Sequence, residues 1–183
     1  MTIFIIVALI AALLVIWVMS TQRRLAGMDE NAQTAMSQIG VQLSSRFDAL
    51  TALLELTKGY AASESQTLME TVKSRRGAIT AKSTPNEVLK QEVVIREALG
   101  CVAVMVELCP GLKTDAGYLK CMDALDSYEK MVRTSRLIYN DSVTRLNRAV
   151  RMAPASLIAG MLGFRQRDYL ESAEEQSPAP NLG

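Results

Sequence analysis

The chain has 183 residues, 20 Lys and Arg against 19 Asp and Glu, a net charge of +1 and no histidine. Such a balance argues against a nucleic-acid binder, which concentrates basic residues on one face. The lack of histidine removes the commonest general base and metal ligand. Hydrophobic residues make up 49% and aromatics 5%, with Met and Ala plentiful, the composition of a helical bundle rather than a β protein.

The first element is an apolar run from Ile3 to Met19 without one polar side chain, followed by Arg23 and Arg24. A bilayer core takes about 20 apolar residues as a helix. Residues 1–22 are therefore predicted to be a transmembrane anchor, with Ile3, Phe4, Leu9 and Leu13 in lipid and Trp17 at the lipid–water boundary. A signal peptide is the competing reading. It calls for a basic segment before the run and a small-residue cleavage site after it, and neither is present. Ala8 and Ala12 form a weak small-xxx-small pair for close anchor packing. Arg23 and Arg24 predict an N-terminus outside and the rest of the chain in the cytoplasm.

Beyond the anchor, Met28, Ala32, Met36, Ile39, Leu43, Phe47, Leu50, Leu54 and Ala61 recur at steps of mostly three or four, the stripe of an amphipathic helix. This spacing predicts one helix from Met28 to about Ile79, continuous with the span unless Gly27 breaks it. Ala81–Glu87 reads as a turn, with Thr84 as N-cap, Pro85 at the first helical position and Glu87 completing a capping box. A second helix is expected over Pro85–Leu108, its half from Ala98 onward apolar except for Glu107 and expected to be buried on several sides. Leu99, Val102 and Met105 mark its candidate self-assembly or core face.

A third helix is expected from Thr114 or Asp115 to about Met152, where Pro154 stops it. A short amphipathic helix should begin at Pro154 and end at Gly163, and an acidic, Pro-rich tail over 171–183 should be disordered. The expected fold is all-α: an anchor, then an antiparallel bundle of three long helices plus a short C-terminal one over 23–170. Three passes away from, toward and away from the membrane would place the short helix at the distal end. Packing on the bundle or a neighbouring subunit is therefore expected of it, rather than the lipid contact its composition also fits. Cys101, Cys109 and Cys121 lack disulfide or zinc spacing and read as small buried residues. Asp141 is expected to pair with Arg145 one turn on, and Asn140 to bond across to another helix.

Several ordered segments resemble the LemA family. Ala35–Leu43 resembles its AWSQIDVQL stretch. Arg46-Phe47-Asp48 and Lys58-Gly59-Tyr60-Ala61 match its R-[YF]-D and KGYA signatures, and Pro110–Lys113 its P-x-L-K turn. Tyr139, Asn140 and Asp141, then Asn147, Pro154, Gly163, Phe164 and Tyr169, follow its C-terminal block in order. The family's Trp is Met36 here, its Asp Gly40, its Pro Thr51, its Phe Ala153 and its Asn Ser156. The resemblance implies a bacterial protein with one N-terminal membrane helix and a helical bundle, without established catalysis. One branch, similar to magnetosome proteins, is associated with intracellular membrane compartments.

No catalytic, cofactor-binding or metal-ligating set is expected. The expected function is a non-enzymatic, membrane-anchored bundle that self-assembles and organises or shapes membrane. The alternative is a tethered adaptor for another membrane protein. The expected partners are a lipid bilayer, cytoplasmic or intracellular, and further copies of the chain, with no nucleic acid.

Overall fold

The computed structural model describes residues 1–171. The tail expected at 171–183 lies, from residue 172 on, outside the described residues. Helix α1 runs from Thr2 to Thr57, followed by α2 (Ala62–Arg75), α3 (Pro85–Leu108), the single turn α4 (Pro110–Lys113), α5 (Ala116–Arg151) and the single turn α6 (Ser156–Ala159). The described residues contain no strand. The three long helices of the sequence reading are present, and a shorter fourth, α2, stands between the first and the second.

At 1.5 Å per residue α1 is about 84 Å long. Its residues 2–16 are exposed, and it contains the one helix segment among the described residues long and apolar enough to cross a membrane. Gly27 does not break it. Buried Leu25 and Ala32 flank that glycine, and packing of this kind overrides a propensity cost of about 1 kcal/mol.

The break comes instead at Thr57. There the amides of Tyr60 and Ala61 both donate to the Thr57 carbonyl, and the Ser65 hydroxyl donates to Thr57 Oγ1 at 2.9 Å. Both hydroxyl side chains are buried, so this bond satisfies groups that would otherwise be costly to bury. The chain reverses here. The predicted single helix to Ile79 is thus two antiparallel helices, with residues 76–84 as an irregular connection.

Local signals set the later boundaries. Thr84 and Glu87 form the full capping box, with Pro85 in the first turn. Asp115 caps α5 by accepting from the amides of Gly117 and Tyr118, and these bonds hold its carboxyl below the usual carboxylate range.

Cross-links give the directions. Arg76 reaches back to Asp48 at 2.7 Å, so α2 runs antiparallel to α1. Ser65 meets Met105 and Arg75 meets Glu97, so α3 runs antiparallel to α2. Arg46 pairs with Glu129 at 2.7 Å, and Gly117 lies beside Leu56, so α5 runs antiparallel to α1 along its length. The chain therefore makes four passes. The fourth ends near the anchor, and α6 contacts α1. This overturns the expectation of a distal short helix, because an added reversal flips the end at which every later element falls.

The core is one cluster built from α1 (Met36, Ile39, Leu43, Phe47, Leu50, Leu54), α2 (Met69, Val72), α3 (Val88, Ile95, Val102) and α5 (Leu125, Val132, Tyr139, Val143). Gly40 permits the one very close approach. A Cβ there would collide with the Ile79 carbonyl oxygen of the connection.

Candidate functional site

The motif residues gather at three levels along the bundle. At the distal corner, Gly59 and Tyr60 form the α1–α2 reversal. The Tyr60 hydroxyl donates to Asp115 Oδ2 at 3.3 Å, and a Cβ on Gly111 would touch the Tyr60 ring. The KGYA and P-x-L-K segments thus brace each other. At mid-height, Arg46 reaches α5 through Glu129, and Phe47 fills the core. Asp48 accepts from Arg76, whose guanidinium stands 5.5 Å from the Phe47 ring centroid. Arg46 Nε is buried without a partner among the described residues.

The third level lies toward the anchor. Here the segment after α6 runs back up the bundle as an extended strap over residues 164–171. Asn147 clamps it at both polarities, donating to the Arg167 carbonyl at 2.9 Å and accepting from the Arg167 amide at 2.8 Å. Asn140 repeats the device on Leu170 at 3.0 and 2.9 Å. The two asparagines are seven apart on α5, which places them on one helix face. The Tyr139 hydroxyl donates to the Asp168 carbonyl at 3.0 Å, and burial pushes that phenol above its ordinary pKa. Arg167 then donates to Asp29 on α1 at 2.7 Å, and this bond holds the Asp29 carboxyl below its usual range.

Asn140 therefore bonds across to a strap, not to another helix, because an extended segment offers the free backbone N–H and C=O that a helix interior lacks. Asp141 pairs with Arg145 at 2.9 Å. Gly163 has φ of 84°, a conformation that only glycine adopts without strain, and there the chain turns into half-buried Phe164. Pro154 is exposed just past the end of α5.

Of the anchor residues, Ile3, Phe4, Leu9 and Leu13 are exposed and Trp17 is half-buried. On α3, Val102 and Met105 are core and Leu99 is half-buried. Burial of α3 on several sides does not occur within one chain. Val104 is 55% exposed and Leu108 76%, with Val93 and Gly100 on the same outer row. The cysteines are not buried either: Cys101 is exposed, Cys109 and Cys121 are half-buried, and all three are free. Cys101 sits on the outer row of α3, Cys109 caps the junction of α3 and α4, and Cys121 packs at the edge of the core. Among the described residues no group of three His, Cys, Asp or Glu side chains could hold a metal ion.

The LemA family model matches residues 35–182. The chain belongs to the LemA family. That match takes in the distal brace, the mid-height ion pairs and the strap. No curated protein matches the chain. Membership and the apolar first third of α1 together describe a membrane-anchored helical protein with one candidate span among the described residues. The sequence marks Asn147 only as part of the LemA-like C-terminal block and Arg167 only as a cation after the short helix, and ties neither to the other. The signal that could have found them is the seven-residue spacing of two asparagines on one face of α5, beside the apolar stripe of Tyr139, Val143 and Leu146.

Proposed function

We propose that this LemA-family protein is a non-enzymatic membrane scaffold that self-assembles through the outer row of α3 and organises the membrane holding its anchors. The observation that carries this reading is the exposed row of Val93, Gly100, Val104 and Leu108 on a helix whose opposite face is already core. Val104 and Leu108 stand one turn apart beyond Gly100, with the exposed Glu97 interrupting the row toward Val93, and such an exposed apolar end favours a protein partner over water. The small residues Gly100 and Ala103 among them let a second helix approach closely. Of the polar motif side chains, Arg46, Asp48, Tyr60, Tyr139, Asn140 and Asn147 are engaged in ties between elements, which supports an architectural role. Arg23 and Arg24 favour an N-terminus outside and a bundle in the cytoplasm, on a bacterial inner or intracellular membrane.

The test is the particle mass of the full-length protein in native lipid discs, alone and with Val104→Glu and Leu108→Glu. Scaffolding requires a large discrete assembly that the two substitutions dissolve into folded single chains. A single chain in the unsubstituted protein refutes it. The adaptor reading is favoured by further exposed apolar side chains, Val41 on α1 and Met131 and Ile138 on one row of α5. It requires cross-links in cells to a different polypeptide that Ile138→Glu abolishes.

A further inference from the structure

The four-pass topology brings the end of α5 and the turn α6 back to the membrane side of the bundle. Glu129 is level with Arg46 through their ion pair. As many residues separate Glu129 from Arg151 as separate Arg46 from Arg24, so Arg151 ends level with the arginines that close the apolar span. Residues 152–163 must then lie beside the last turns of that span. Burial agrees: within residues 1–25 only Trp17, Val18, Thr21 and Leu25 are other than exposed. Their spacing places all four on one face of α1, and α6 is in contact with that helix.

What this segment turns outward is apolar. Met152 is 52% exposed, Leu157 74% and Met161 88%. Around it stand five exposed cations: Arg23 and Arg24 on α1, Arg148 and Arg151 on α5, and Arg165 after the α6 turn. Among the described residues none of the five is in a salt bridge. The acids nearby are Asp29, taken up by Arg167, and the exposed Glu30 and Asp168. An apolar tip ringed by arginines, at the depth of Trp17, matches the boundary between acyl chains and anionic headgroups.

We propose that residues 152–165 form a second membrane contact, with Leu157 and Met161 inserted among the lipids and Arg148, Arg151 and Arg165 on anionic headgroups of the bilayer that holds the anchor. The inference rests on the anchor reading and is independent of self-assembly. The strap is what makes the contact rigid. Asn147, Asn140 and Asp29 tie the chain immediately after the tip to α5 and α1, so the tip cannot swing free, and the bundle is held to the bilayer at two points.

The experiment uses full-length protein in vesicles of neutral and anionic lipid, plain or brominated on the upper acyl chain, and reads tryptophan emission. Trp17 is the single tryptophan and reports the anchor. In a Trp17→Phe background, Met161→Trp and, separately, Leu157→Trp report the tip, and Leu108→Trp reports the distal end. The proposal expects brominated lipid to quench both tip reporters about as strongly as native Trp17, and to leave the distal reporter bright. Unquenched tip reporters beside a quenched Trp17 overturn it, and equal quenching at the distal end overturns the end-on geometry. An unquenched Trp17 overturns the anchor reading itself. In anionic vesicles, Arg148→Gln, Arg151→Gln and Arg165→Gln together should lower the tip quenching to its value in neutral lipid. Unchanged quenching overturns the headgroup assignment.

Discussion

Asn147 is the single side chain on which the strap most depends. It is buried and satisfies both backbone groups of Arg167. Asn147→Ala leaves that N–H and C=O without partners, and a loss of about 1–3 kcal/mol is expected in denaturant unfolding. Gly40 sets two effects against each other. Alanine gains about 1 kcal/mol of helix propensity, but its Cβ meets the Ile79 carbonyl oxygen, and overpacking costs about 1–3 kcal/mol. The clash is with backbone, which yields little, so Gly40→Ala is expected to lower the unfolding midpoint, and a raised midpoint would show the connection to be free to move. Asp29 makes the strap acid-sensitive. Its folded pKa is depressed by Arg167, so its contribution is present above the ordinary Asp value of about 3.9 and is lost as pH falls through the folded value. Pepsin cleavage between Phe164 and Leu170 should accelerate over that window in the native protein, whereas Asp29→Asn should be cut readily with no such step.

At the scale of elements, α3 separates the two demands placed on an apolar helix. Val102 and Val104 are two residues apart and nearly opposite on the helix, one core and the other exposed. Val102→Ser removes packing and buries a hydroxyl, and about 2 kcal/mol or more of stability should go with it. Val104→Ser should stay within about 0.5 kcal/mol for a single chain. Comparing the two by thermal unfolding in a detergent that keeps chains apart tests the placement of the rows. Equal losses would mean that the outer row is covered within one chain. The ion pairs between helices are of unequal weight. Glu92 and Arg136 pair at 3.0 Å with both side chains largely buried, and removing one partner leaves a charge without compensation. Asp141 and Arg145 are exposed on one helix and contribute about 0.3–0.5 kcal/mol.

The whole molecule is a long rod thickened unequally along its length. At the distal end α2 and α3 complete four helices around α1 and α5. Nearer the anchor those two helices continue past them, and the strap takes the third place, with Leu170 buried in the core cluster. Both halves hang from one helix that begins in the apolar run, so tilting of the span is transmitted to the entire bundle. A second contact at the tip would resist that tilt. The outer row of α3 would at the same time be held facing sideways, parallel to the membrane, where copies anchored in the same bilayer meet.

Local chemistry alone determined a good deal. The uninterrupted run Ile3–Met19, the cap at Thr84, a helix start at Thr114 or Asp115, the stop before Pro154 and the Asp141–Arg145 pair each depend on residues within a turn or two of one another. The tertiary structure alone decided the reversal at Thr57. The stripe Leu50, Leu54, Thr57, Ala61, Ser65, Met69, Val72 keeps steps of three and four straight through that corner. Periodicity reports which face is buried and stays silent when the helix folds back in phase. A buried hydroxyl pair between Thr57 and Ser65 makes the corner, and neither residue reads as a turn. From that one reversal follows the end of the molecule at which Pro154, Gly163, Phe164 and the two asparagines stand. The direction of each later element counts all the turns before it, which no local pattern records.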